Sequence, residues 1–178
     1  MLKILILDVD GVLTDGVKYY NPNGQVVLKT FCDKDWTAIK RFRAIGINVI
    51  FITGDPYNES ILTNRNLPVI VNRGTGFHSD KLNYLPEILQ QYKCTADEIA
   101  YIGDDVFDIG LLTAVKYAFC VANSPLMVQN FATVLSCKGG ENVVMNFFDV
   151  AEQKGLIPTV PYDQIIDKIY ELDIKETF

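Results

Sequence analysis

A strand-like run from Lys3 to Leu7 stops abruptly at Asp8, Val9, Asp10 and Gly11, within "LILDVDGVLTDG". A short apolar run of this kind reads as a buried strand, so its end sets two acids at one edge of a sheet. Alone, the pair fits a helix cap, a turn or a metal site. What the other strands bring to that edge decides between them.

Further β-rich runs recur at Ile47 to Ile52, Val69 to Val71, Ile99 to Ile102 and Tyr117 to Val121, with a last one at Thr133 to Leu135. Helical patterns lie between them. Asp33 is placed to cap a helix running to about Ala44, where Gly46 stops it; Asp55 with Pro56, Ser79 or Asp80, Asp105, and Ser124 with Pro125 open four more. Alternating strands and helices predict an α/β fold: a doubly wound, Rossmann-like parallel sheet covered on both faces. In such sheets ligands bind beyond the carboxyl ends of the strands. One segment breaks the alternation: "VKYY", the turn "NPNG" and "QVVLKTF" read as a β-hairpin flap over about 16–31. Near 161–178, Ile165, Ile166, Ile169 and Leu172 recur at near-helical spacing, fit for the chain's own core or for a subunit contact.

The 178 residues suit a single domain over 1–178. Sixteen Lys plus Arg against 22 Asp plus Glu, with no basic run, argue against a nucleic-acid partner. The scattered Cys32, Cys94, Cys120 and Cys137 suggest neither a zinc knuckle nor a redox pair, and read as reduced, mostly buried thiols. Neither a signal peptide nor a membrane span is read from the first strand, so the expected compartment is the cytosol.

The residues that follow each strand form a pattern. Asp8 and Asp10 end the first, Thr53, Gly54 and Asp55 the second, Gly103, Asp104 and Asp105 the fourth, and Lys81 follows the third. A phosphoryl-transfer site needs these types: acids for a divalent cation, a hydroxyl and backbone N–H groups for phosphate oxygens, and a lysine to offset charge. Each alone has a plainer reading as cap, turn or solvated residue. Asp8, Asp10 and Asp104 together would repel without a cation, and a hard ion such as Mg2+ resolves that.

"DVDGVLTDG", "ITGD", "SDKL" and "YIGDDVFD" resemble, in order, the four motifs of the haloacid dehalogenase superfamily. The resemblance implies that Asp8 is the nucleophile and Asp10 the general acid and base. It implies that Thr53, Gly54 and Lys81 bind phosphoryl oxygens. Mg2+ would be held by Asp8, Asp10 through its backbone carbonyl, and Asp104, supported by Asp105 and Asp108. Only 42 residues separate Asp10 from Thr53, and 27 separate Thr53 from Lys81, so no cap domain fits in either gap.

Among capless members, "DVDGVLTDG", "DKDWTAIK", "SDKL", "IGDDVFDIGLL" and a late "GG" followed by a helix make the chain similar to the tetrameric sugar-acid phosphatases acting on 3-deoxy-manno-octulosonate 8-phosphate or on sialic-acid-like nonulosonate 9-phosphates. That implies a homotetramer, with the hairpin as contact element, in lipopolysaccharide or sialic acid biosynthesis. Two departures, Asp55 where the octulosonate group usually has Arg and "GGENVVMNFF" late in the chain, lean the reading toward a nonulosonate or another ulosonate phosphate. Lys34, Arg65 and Arg73 are candidates for the substrate's carboxylate and hydroxyls, or else surface charges. His78 is either a substrate contact or a loop residue; Trp36 reads as core or interface rather than a sugar platform. Another small phosphate ester remains an alternative. A phosphoacceptor signalling domain fits poorly, because Asn72 stands where the third strand would need an acceptor Asp.

Overall fold

In the computed structural model, which describes residues 1–73 and 77–176, β1 (Ile4–Leu7) is buried along its whole length. Its alternation explains why. Leu5 and Leu7 face one apolar cluster and Ile4 and Ile6 another, so both sides of the strand are covered. β1 lies at the centre of a six-stranded parallel sheet with β4 (Asn48–Thr53), β5 (Val69–Val71), β6 (Ile99–Gly103), β7 (Tyr117–Cys120) and β8 (Thr133–Val134), in the order β5-β4-β1-β6-β7-β8. A small separate sheet pairs β2 (Tyr19–Tyr20) with β3 (Val26–Leu28) antiparallel, which is the expected hairpin.

Two layers of helix cover the sheet. On the Leu5 side lie α1 (Asp33–Ala44), α2 (Tyr57–Asn64) and α6 (Val143–Gln153), whose Phe42, Leu62, Phe147 and Phe148 fill the cluster. On the Ile4 side lie α3 (Leu85–Tyr92), α4 (Ile109–Ala114) and α5 (Leu126–Gln129), contributing Leu85, Ile88, Leu111, Leu112 and Val128. The chain grows from β1 outward to β5, then crosses back to β6 on the other side of β1. That reversal between β1 and β6 opens a crevice at their carboxyl ends, where Asp8 and Asp104 stand.

Several local expectations shift. Asp33 is the first helical residue rather than the cap; Cys32 takes the N-cap position with no side-chain bond. Short 3-10 turns at Lys81–Tyr84 and Val106–Asp108 precede α3 and α4, capped by Asp80 and Asp105. Of the four cysteines, all free, only Cys120 is buried; the others are half-buried. Trp36 is in the core, 5.4 Å from the Phe31 ring, with the Arg65 guanidinium over its face at 4.1 Å. The C-terminal helix α7 (Tyr162–Asp173) packs on α1, with Ile165 buried. Lys40 pairs with Asp173 and Glu176, and Arg65 with Glu176 at 2.6 Å, so the expected tail belongs to its own chain's surface as far as Glu176. Its last two positions, 177–178, lie outside the described residues. No described helix is long and apolar enough to cross a membrane.

Asp35 joins two helices. Buried on the first turn of α1, it accepts the backbone N–H groups of Val143, Val144 and Met145 at 3.2, 2.8 and 3.2 Å, capping α6 from more than a hundred residues away. Burial pushes its carboxyl up to about 6, while the three N–H donors hold it down. Replacing Asp35 by Ala strands those donors and is expected to lower the unfolding free energy by about 2–4 kcal/mol in urea titration. Asp35→Asn should keep about half of the loss from appearing, since its carbonyl still accepts.

Candidate active site

Asp8, Asp104 and Asp108 bring carboxylate oxygens within 4.8 Å of one another at the crevice. One ammonium holds two of them: Lys81 Nζ, almost fully buried, donates to Asp8 Oδ1 at 2.8 Å and Asp108 Oδ1 at 2.6 Å. Those two acids push the Lys81 ammonium well above its usual range against the effect of its burial. Asp108 is also bound by the Tyr101 hydroxyl at 2.6 Å on Oδ1, and by the N–H groups of Asp104 and Asp105 at 2.8 and 2.9 Å on Oδ2. Its acceptor capacity is thus used, and it fixes the loop after β6. Asp8 and Asp104 are the acids left to face a ligand.

Glycines make this crowding feasible. A Cβ on Gly11 would overlap the Asp104 carboxylate, and one on Gly103 the Asp108 carboxylate. The late Gly139 packs directly on the backbone of Gly11 and Thr14, while Gly140 N–H bonds to Val12 O at 2.9 Å, so the "GG" near the end of the chain clamps the loop after β1.

A second cluster lies at the hairpin side. The Asp10 carboxylate sits here, apart from the first cluster, because Val9 turns into the core between the two acids. The fully buried Lys29 ammonium donates to Asp10 Oδ1 at 2.7 Å, Asp55 Oδ2 at 2.8 Å and Asn58 Oδ1 at 2.9 Å. Lys18 reaches Asp55 Oδ2 at 2.8 Å and Asp10 Oδ2 at 3.4 Å. Although burial opposes it, this pair of ammoniums holds the Asp55 carboxyl far below the usual carboxylate range. Asn58 Nδ2 donates to Thr53 Oγ1 at 2.8 Å and Asp10 Oδ2 at 3.2 Å. Lys18, Lys29 and Asn58 were missed by sequence reasoning. Lysines on a hairpin read as surface charge, and no local spacing relates residue 29 to residue 10 or 55.

Both clusters line one cavity of about 210 Å3. Its wall includes Asp8, Asp10, Gly54, Lys81, Asp104, Asp105 and Asp108 of the expected site residues. Thr53 is fully buried behind that wall, its Oγ1 accepting from Asn58 and from Asp55 N–H. Asp105 caps the turn at Val106 through Oδ1 at 2.6 Å instead of facing the carboxylate cluster. Of the substrate candidates, Arg73 reaches the cavity wall; Arg65 is engaged by Glu176 and Trp36, and Lys34 is exposed outside the wall. His78 covers Gly54, where a Cβ would overlap the imidazole, and its ring lies 5.4 Å from that of Phe107 at the cavity mouth. Asn72, with Nδ2 donating to Ser79 O, takes the place a phosphoacceptor would need.

The donors fit a hard divalent cation. Asp104 Oδ1 is buried with no hydrogen-bond partner, a costly state for an acid unless an ion fills it. Burial, then Asp8 and Asp108, pushes Asp104 up to about 9; burial likewise raises Asp8 to about 6. Both native values exceed the ordinary 3.8, so the metal-free native state binds more protons than the unfolded chain. That contribution to stability is complete below the unfolded value and is lost as pH rises through about 6 and then about 9. With chelator present, the thermal midpoint is expected to fall between those pH values; excess Mg2+ should flatten the fall. Scanning calorimetry across pH, with and without Mg2+, measures both.

Residues 75–148 match the family model of haloacid dehalogenase-like hydrolases. The 3-deoxy-D-manno-octulosonate 8-phosphate phosphatase of Haemophilus influenzae is 33% identical over 153 residues, covering 85% of this chain and 83% of that protein. The cobalt-bound structure of the Haemophilus influenzae phosphatase superposes with a TM-score of 0.76 at 31% identity, covering 85% of this chain and 88% of that one. For the fold alone, a Moraxella catarrhalis phosphatase of the same name, in complex with magnesium, phosphate and a KDO molecule, has a TM-score of 0.75 at 24% identity, covering 85% and 86%. These relatives carry the octulosonate name, and none of them lends support to the nonulosonate leaning. The two-faced parallel sheet, the acids at its crevice and a third of the residues held in common over most of both chains lead to one assignment: this chain belongs to the 3-deoxy-D-manno-octulosonate 8-phosphate phosphatase family of haloacid dehalogenase-like hydrolases and is a phosphoric monoester hydrolase.

Proposed function

We propose that the chain hydrolyses 3-deoxy-D-manno-octulosonate 8-phosphate, using Mg2+ and a phosphorylated Asp8, as one hydrolase domain spanning 1–178. The observation that carries the chemistry is the Asp8 carboxylate held at 2.8 Å by Lys81 beside the unpartnered Asp104 Oδ1. The substrate reading is supported by the names and coverage of the relatives.

When bound, Mg2+ would supply positive charge for the phosphoryl oxygens, held by Asp8, Asp104 and the backbone carbonyl of Asp10. Lys81 keeps Asp8 aimed and offsets its charge against an anionic substrate. An Asp8 oxygen then bonds to phosphorus as the ester P–O bond breaks, and the departing sugar oxygen takes a proton from the Asp10 carboxyl. Asp10, now a carboxylate, takes a proton from water as that water attacks phosphorus. The bond to Asp8 breaks, and inorganic phosphate and the free sugar acid leave. Gly54 leaves its N–H at the cavity wall for a phosphoryl oxygen, with Thr53 fixing that loop from behind; Asp105 and Asp108 support the loop that carries Asp104.

The exposed Tyr19, Tyr20, Val27 and Leu28 of the hairpin support assembly with further copies, which we read as a homotetramer in the cytosol. Phosphate release from the octulosonate ester is expected with Mg2+ and is expected to cease with chelator. Asp8→Asn should lower kcat by roughly 10,000-fold or more, and Asp10→Asn by about 100- to 10,000-fold. Full activity in Asp8→Asn would refute the nucleophile assignment. Turnover of other esters but not this one would refute the substrate.

A further inference from the structure

We propose that Lys18, on the hairpin, is a specificity-determining residue that binds the carboxylate of the substrate's sugar acid. The inference rests on the substrate reading above and assigns a residue to a part of it.

The two hairpin lysines differ in what remains for a ligand. Lys29 has three ammonium hydrogens and three acceptors, Asp10 Oδ1, Asp55 Oδ2 and Asn58 Oδ1, with its side chain wholly shielded from solvent. It is complete. Among the described residues Lys18 meets only Asp55 Oδ2 and, more loosely, Asp10 Oδ2; it lines the cavity and keeps 27% of its side chain exposed. One of its hydrogens is left for the cavity. Asp55 and Asp10 already accept from Lys29 at 2.8 and 2.7 Å, so Lys18 is not needed to satisfy either acid. Those acids instead aim it.

The position of Lys18 relative to the reaction selects its ligand. A phosphoryl group at Asp8 puts the ester oxygen toward Asp10, and Lys18 touches Asp10 on the side facing the hairpin. The substrate beyond the ester therefore meets Lys18, while Lys81, between Asp8 and Asp108, stays with the phosphoryl end. A charged donor with an open hydrogen favours an anion over a hydroxyl. On a sugar acid that anion is the carboxylate.

The test compares octulosonate 8-phosphate with its carboxyl methyl ester, which lacks that charge and adds one methyl group. The wild-type chain is expected to prefer the free acid in kcat/KM by about 10- to 100-fold, the range of a charge-assisted hydrogen bond. Lys18→Met should bring the preference below about threefold, and Lys18→Arg should retain most of it. Any loss through Asp10 falls on both esters alike and cancels in the ratio, so a merely structural defect leaves the preference intact. If the wild type prefers the acid and Lys18→Met keeps that preference, the role of Lys18 is overturned and the substrate reading stands. If the wild type turns over both esters equally, the carboxylate role falls while the substrate reading stands; if it turns over neither, the substrate reading falls and the inference with it.

Discussion

A single buried ammonium, Lys81, makes the rest of the site possible. The sheet's crossover brings the ends of β1 and β6 side by side, and both ends are acidic. Without compensation, carboxylates this close and this buried would take up protons or force the strands apart. Lys81 binds Asp8 and Asp108 at once, so the strand order and the charge arrangement stabilise each other. Asp108 passes that restraint on through its bonds to Tyr101 in the core and to two N–H groups of the loop after β6. The geometry around Asp8 is consequently set by core packing as much as by polar contacts.

Backbone proximity adds a second restraint that side-chain chemistry does not supply. The loop after β1 is gripped from behind by Gly139 and Gly140, and Gly11 leaves the space that Asp104 occupies. A methyl group at Gly11 or Gly139 has nowhere to go without displacing a carboxylate or the backbone itself. Residues 11 and 139 thus act on the same few cubic ångströms from opposite ends of the chain.

Much of this was legible in the sequence because it is written locally. Continuous apolar runs marked the strands, and an acid or a hydroxyl just beyond three of the runs, with Lys81 ten residues past Val71, marked the crevice. Asp8, Asp104 and Lys81 meet there as strand order requires. What escaped is long-range. Asp35 caps α6 across 108 to 110 residues, and Lys29 reaches Asp55 across 26, distances over which no periodicity carries information. Asp33 and Asp105 show the opposite case. Both looked like caps: Asp33 lies one position inside its helix, whereas Asp105 is a cap and turns its carboxylate to Val106 for that reason. Asp55 stands where the octulosonate group usually has Arg, and in the fold it faces two ammoniums.

The hairpin carries a consequence of its own. Among the described residues Lys18 and Lys29 are its only link in charge to Asp10 and Asp55, so its position and the electrostatic potential at the cavity are one variable. Moving the hairpin outward withdraws two positive charges and leaves two negative ones facing an anionic substrate. Whatever holds the exposed tyrosines of the hairpin in place also tunes the field in which phosphate arrives.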